Sequence, residues 1–122
     1  QVASCHALRQ GRENGYMEVV RMRESYDRRR RLTLDAFREM GLPCFEPKGA
    51  FYTFPSIRQT GLSSEEFCDR LLTEYRVVCV PGSAFGPSGE GHIRCCYATA
   101  VDKLMEAFAR IGAFLDKLNQ EK

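Results

Sequence analysis

Arg94 stands in the run His92-Ile93-Arg94-Cys95-Cys96-Tyr97-Ala98, a lone guanidinium among small and apolar neighbours. Strand alternation sends Ile93, Cys95 and Tyr97 to one face and His92, Arg94 and Cys96 to the other. A charge in the middle of such a strand is costly to bury unless an anion meets it. The planar fork of the guanidinium suits two-point binding of a carboxylate. Two plainer roles fit the same pattern: an arginine on a solvated sheet face, or one paired with a structural Asp or Glu. The six cysteines, Cys5, Cys44, Cys68, Cys79, Cys95 and Cys96, have no C-x-x-C pair among them and only two histidines beside them. That is not a zinc spacing, and no metal site is expected. Adjacent Cys95 and Cys96 point to opposite faces, so no ordinary disulfide joins them. Small buried hydrophobes in a reducing compartment is the expected role for most of the six.

The elements that must position Arg94 are legible on either side of it. Val77 to Val80 reads as a short β-branched strand, followed by a Gly/Pro/Ser loop from Pro81 to Gly91. With four glycines and two prolines the loop exceeds a tight hairpin. It matches neither a P-loop nor a G-x-G-x-x-G turn, and a mobile, gating loop is the expectation. Ala50 to Phe54 is an aromatic strand ended by Pro55, in which one of Phe51 and Tyr52 faces away from the core. Ser63-Ser64-Glu65-Glu66 is a capping box opening a helix with Phe67, Leu71 and Tyr75 on one face.

A longer helix is expected from Glu13 to Met40, on the spacing of Val19, Met22, Tyr26, Thr33, Phe37 and Met40, with Gly41 and Pro43 as its stop. Before it lies a short, weakly helical piece ending near Gly11. Thr99 is the expected N-cap of the last helix, whose stripe is Val101, Leu104, Met105, Phe108, Ile111, Leu115 and Leu118. The order helix, strand, helix, strand, strand, helix predicts an α+β fold: a small three- to four-stranded sheet covered by helices, with a long N-terminal helix.

The chain has 122 residues, 43% hydrophobic and 28% charged, which suits one globular domain with a modest core. A net charge of +2 gives no general pull towards nucleic acid or a membrane surface. The basic run Arg28 to Arg31 has Glu24, Asp27, Asp35 and Glu39 within a turn or two, so a salt-bridged helix face is expected rather than a nucleic-acid patch. No apolar run approaches the roughly 20 residues that span a bilayer. The first residue is Gln1 rather than Met, and the chain is expected to begin within a longer protein.

Three runs, in order, resemble the C-terminal small domain of fold-type I, class I/II pyridoxal-phosphate-dependent aminotransferases. They are Pro47-Lys48-Gly49-Ala50-Phe51-Tyr52-Thr53-Phe54-Pro55, then Val80-Pro81-Gly82-Ser83-Ala84-Phe85-Gly86, then His92 to Ala98. The resemblance implies residues 1–11 as a remnant of the junction with the cofactor domain and 12–122 as the small domain. It implies that Arg94 binds the substrate's α-carboxylate, with Phe51, Tyr52, Ser83, Ala84 and Phe85 as pocket or lid residues.

It also implies pyridoxal 5′-phosphate as cofactor, an amino acid and a 2-oxo acid as substrates, a homodimer, and a cytoplasmic protein without nucleic-acid or membrane partners. None of Lys48, Lys103, Lys117 and Lys122 resembles the family's Schiff-base lysine. The catalytic and cofactor-binding residues are therefore expected upstream of Gln1, and the chain alone is expected to be inactive. The competing reading is a ferredoxin-like αβ regulatory or binding module without catalysis, which needs one further strand. A purely structural or dimerisation domain is the third.

Overall fold

The computed structural model, which describes residues 1–121, sets helices against one face of a small antiparallel sheet. The order is α1 (Val2–Asn14), α2 (Met17–Glu39), β1 (Tyr52–Thr53), α3 (Ser64–Tyr75), β2 (Val80–Pro81), β3 (Ile93–Cys96) and α4 (Val101–Gln120). The sheet order is β1-β3-β2, which puts β3 in the middle. Tyr52 pairs with Cys96 and Thr53 with Cys95; on the other side Val80 pairs with Arg94 and Pro81 with Ile93. Three strands is the lower end of the expected range, and no fourth is present among the described residues.

The strands are shorter than their sequence patterns. Proline carries no N–H to donate to a ladder, so Pro55 stops β1 from running on. β2 instead starts late, at Val80 rather than Val77, and ends on Pro81, which pairs with Ile93. Beyond β1 the chain stays beside β3 through single contacts: the Pro55 carbonyl accepts from the Ile93 amide at 3.1 Å, and Ser56 bridges His92.

Both expected helical pieces are present, α1 and the long α2, but the break between them lies at Gly15 and Tyr16 rather than near Gly11. Gly15 (φ 67°) and Tyr16 (φ 56°) are both left-handed, which breaks the helical path. The Tyr16 amide bonds back to the Gly11 carbonyl at 2.7 Å and to Asn14 Oδ1 at 3.0 Å. Gly11 does not end the first helix; it seats the Tyr16 ring, because a β-carbon there would come within 2.5 Å of that ring. Val19 and Met22, expected on the apolar face, are more than half exposed, and only Thr33 and Phe37 of α2 are fully buried.

One core joins the end of α2, the inner face of β3, α3 and α4. Phe37 meets Phe108 edge-on with ring centres 5.9 Å apart, and Phe67 meets Phe114 at 5.1 Å. Ile93 and Tyr97 are buried in it, as their alternation requires, and Leu104, Ile111, Leu115 and Leu118 line it from α4. Phe114, outside the expected stripe, is fully buried, whereas Val101 and Met105 are half exposed.

The Ser63 hydroxyl accepts from the Glu66 amide as the capping box requires. Thr99 is not the cap of α4: Ala100 holds that position without a side-chain bond, and the Thr99 carbonyl instead accepts from Arg29 at 2.9 Å. Of the arginine run, Arg29, Arg30 and Arg31 are engaged by nearby groups. Arg30 pairs with Asp27 and with Glu46, and Arg31 with Asp27, which holds the Asp27 carboxyl below its usual range.

Candidate functional site

The loop from Pro81 to Gly91 folds as two tight turns, Gly82–Phe85 and Pro87–Gly89. Gly82 and Gly89 lie backbone to backbone, so close that a β-carbon on Gly82 would sit 2.0 Å from the Gly89 carbonyl oxygen. The Gly82 amide donates to the His92 carbonyl at 2.8 Å, closing the loop onto the start of β3. At its far end Glu90 Oε1 accepts from the Ser64 amide at 2.8 Å, and the Gly91 amide donates to Ser64 Oγ at 2.9 Å. The loop is thereby fixed to the N-terminus of α3, and its first turn presents Phe85 over the outer face of the sheet.

That outer face carries Arg94. Its guanidinium carbon lies 4.6 Å from the centre of the Tyr52 ring and 4.8 Å from that of Phe85. The two rings come from different elements, β1 and the loop, and they hold the charge between them by cation–π attraction and contact. Each ring is braced in turn. Tyr52 lies against Phe51 (4.7 Å), and Phe51 stacks on Tyr26 of α2 (5.9 Å). Phe85 meets Phe54 edge-on (5.9 Å), and Phe54 stacks on His92 (5.4 Å). A continuous row results: Tyr26, Phe51, Tyr52, Arg94, Phe85, Phe54, His92.

Among the described residues no carboxylate pairs with Arg94 and no group accepts its N–H bonds. The structural ion pair that the sequence leaves open is therefore absent here. A half-buried guanidinium fixed in direction with its donors unused is a ready receptor for a planar anion, a carboxylate above all.

The remaining expected residues fall around this centre unequally. Tyr52 and Phe85 touch the guanidinium; Phe51 supports Tyr52 from behind. Neither Phe51 nor Tyr52 enters the core, contrary to the expected division of one in and one out. Ala84 is exposed beside Phe85. The Ser83 hydroxyl is turned inward and buried, with no hydrogen-bond partner among the described residues. Phe54 and His92 are the supports that sequence reasoning misses, although Phe54 shares the Tyr52 face by simple alternation.

Among the described residues the lysines do not form a cofactor site. Lys103 pairs with Glu106 at 3.0 Å and Lys117 with Glu74 at 2.7 Å, and both pairings push the ammonium pKa up. A Schiff-base lysine needs the opposite shift, towards the free amine. Lys48 is exposed, and Lys122 lies outside the described residues. These residues do not fit pyridoxal phosphate by themselves. No group of three or more potential metal ligands is gathered among the described residues, and none of their helices is long and apolar enough to cross a membrane.

Residues 2–111 match the model of the aminotransferase class I and II family. The chain is 50% identical over its whole length to an aspartate aminotransferase of Pyrococcus abyssi, covering 30% of that protein. It is equally similar to aromatic-amino-acid aminotransferase 2 of Thermococcus litoralis, again over 30% of its length. The crystal structure of an aromatic aminotransferase from Pyrococcus horikoshii superposes with a TM-score of 0.83 at 52% identity, over 86% of this chain and 28% of that one. The aspartate aminotransferase of Thermus thermophilus with maleate gives 0.75 at 34% identity, over 84% of this chain and 26% of that one.

This chain belongs to the class I and II aminotransferase family, a family of pyridoxal-phosphate enzymes. It spans about 30% of the length of the curated relatives it matches. Membership displaces the ferredoxin-like module as a reading of the fold.

Proposed function

We propose that this chain is the substrate-gripping part of an aminotransferase that moves an amino group between an L-amino acid and a 2-oxo acid. In this reading residues 12–122 act as the small domain, and residues 1–11 belong to the junction with a cofactor-binding domain. Arg94 binds the substrate α-carboxylate. The carrying observation is the guanidinium set between Tyr52 and Phe85 with no internal partner. The Thermus aspartate aminotransferase is described with maleate, a dicarboxylate, which agrees with a carboxylate-binding enzyme of this family.

Two-point binding fixes both position and rotation of a carboxylate, and so aims the bond at the neighbouring carbon. Tyr52 and Phe85 hold the fork in plane, Phe51 backs Tyr52, and Ser83 and Ala84 sit in the turn that brings Phe85 in. The turn, held by the Gly82–Gly89 contact and the Ser64 bonds, presents Phe85 to the substrate side of Arg94. Pyridoxal phosphate would be held by residues outside these 122, since none of the described lysines is fitted for it. A homodimer working in the cytoplasm completes the proposal, supported by six free thiols, which suit a reducing compartment.

The test is Arg94→Lys in the enzyme that carries this chain. A lysine keeps the charge and loses the fork, so kcat/KM for the amino acid should fall by about tenfold or more. Unaltered kcat/KM would remove Arg94 from the reading.

A further inference from the structure

Cys79, the residue just before β2, faces Cys95 of β3. Val80 pairs with Arg94 in the antiparallel register, and one step along the two strands sets Cys79 opposite Cys95. Their sulfurs are 3.6 Å apart and share a thiol hydrogen bond. Both side chains are half-buried against the core, behind the sheet face that carries Arg94. Cys95 is also held from its other side, where Thr53 pairs with it and donates its hydroxyl to the Cys95 carbonyl at 3.3 Å. Cys95 is thus held between β1 and the chain entering β2, with Cys79 against it, and neither sulfur has another use in the site described above.

We propose that Cys79 and Cys95 are a reversible oxidation site, converted to a disulfide by hydrogen peroxide. The proposal stands independently of the aminotransferase reading. In the first step the Cys79 sulfur attacks one peroxide oxygen, the O–O bond breaks, and the Cys79 proton leaves with the other oxygen as water. Cys79 is now a sulfenic acid. In the second step the Cys95 sulfur attacks the Cys79 sulfur, the S–O bond breaks, and the departing hydroxide takes the Cys95 proton as a second water. Two thiols are oxidised and one peroxide is reduced to two waters.

The order of attack follows from the surroundings. The hydrogen bond with Cys95 holds the Cys79 thiol below its usual range, while the same neighbour and burial push Cys95 well up. Thiolate character is what peroxide reacts with. A disulfide needs sulfurs about 2.05 Å apart, so the two must close by about 1.5 Å, within reach of side-chain rotation on strands already in register. Cys68 is a poor competitor: it is buried and its thiol is pushed up to about 12. Cys96 projects to the opposite face. The bond would fasten the base of the Pro81–Gly91 loop, sixteen residues apart in sequence, on the strand that carries Arg94.

The experiment uses the protein as its source makes it, treated with rising hydrogen peroxide, then alkylated without reductant, digested and analysed by mass spectrometry. The expected product is one peptide pair joined through Cys79 and Cys95, two hydrogens lighter than the reduced pair, and separated again by dithiothreitol. Cys79 and Cys95 should both be lost to alkylation before Cys68 reacts. Cys79→Ser should abolish the joined peptide and leave Cys95 alkylatable under denaturing conditions. The proposal is overturned if Cys79 accumulates as sulfinic acid beside an intact Cys95, or joins Cys68 or Cys44 instead. It is equally overturned if both thiols survive peroxide that has already oxidised exposed Cys5 and Cys96.

Discussion

The Arg94 guanidinium carbon lies 4.8 Å from the centre of the Phe85 ring, so a loop side chain closes one face of a charge fixed in the middle strand. Tyr52 closes the other face at 4.6 Å, from the neighbouring strand. The site is therefore assembled by two connections that the chain makes separately: β1 beside β3, and the Gly-rich loop back over β3. Nothing in the row from Tyr26 to His92 needs a carboxylate to hold Arg94 in place.

Removing one ring tests that arrangement. Phe85→Leu keeps the bulk and discards the ring face, a contact worth about 0.5–1 kcal/mol at a partly exposed position. KM for the amino acid should rise about two- to fivefold. Because Phe85 is half exposed, the urea unfolding midpoint should hardly move. Steady-state kinetics and urea unfolding on the same preparation separate the two. A large loss of stability with unchanged KM would make Phe85 a packing residue only.

The loop depends on the backbone contact between Gly82 and Gly89. Gly82→Ala puts a methyl 2.0 Å from the Gly89 oxygen and 2.6 Å from the His92 oxygen, so the loop must open. A loss of roughly 2 kcal/mol or more in unfolding free energy is expected, as for overpacked sites against rigid backbone. Kinetically the same variant should lose substrate affinity, since Phe85 rides on this turn. Gly86→Ala meets no neighbour within 4 Å but carries φ 108°, so its cost is strain in the backbone rather than a collision.

Glu90 gives the structure an acid-sensitive joint. Its carboxylate accepts from the Ser64 amide at the start of α3, and that bond, with the Gly91 amide and the Ser64 hydroxyl, holds its pKa below the ordinary 4.5. A depressed carboxylate contributes stability above its unfolded pKa and loses it as pH falls through the folded one. The Ser64 amide resonance should therefore titrate with a midpoint under 4.5, and Glu90→Gln should flatten that titration. A midpoint at or above 4.5 in the unaltered protein would contradict the capping role.

Local rules read well from this sequence, and long-range closures did not. Alternation alone assigns Ile93 and Tyr97 to the core and Arg94 to the other face, and Ser63 announces the start of α3. A break before the long helix is legible, but the pattern puts it near Gly11 rather than at Gly15 and Tyr16, because the apolar spacing starts only at Val19 and does not fix where the helix begins. What decides it is the Tyr16 ring folding back on Gly11, a contact that no periodicity records. Phe114 escapes the α4 stripe because α3 reaches around to cover it, through Phe67 and Tyr75. In the site, a single arginine in an apolar strand was visible, but its lack of a partner was not. Acidic residues are common enough in the chain that only the folded arrangement shows none beside Arg94. The Cys79–Cys95 opposition likewise depends on register, which the Gly-rich loop leaves unset.

The central claim is that Arg94 recognises a carboxylate, and a cycle of two changes tests it most directly. Turnover of an amino acid and of the amine lacking its carboxylate would be measured with the unaltered enzyme and with Arg94→Ala. If Arg94 grips that group, the unaltered enzyme should prefer the amino acid by a kcat/KM ratio that Arg94→Ala reduces by about a hundredfold, as loss of a charged, two-point bond implies. If the ratio is the same in both enzymes, the carboxylate is bound elsewhere and the aromatic row around Arg94 serves only the fold.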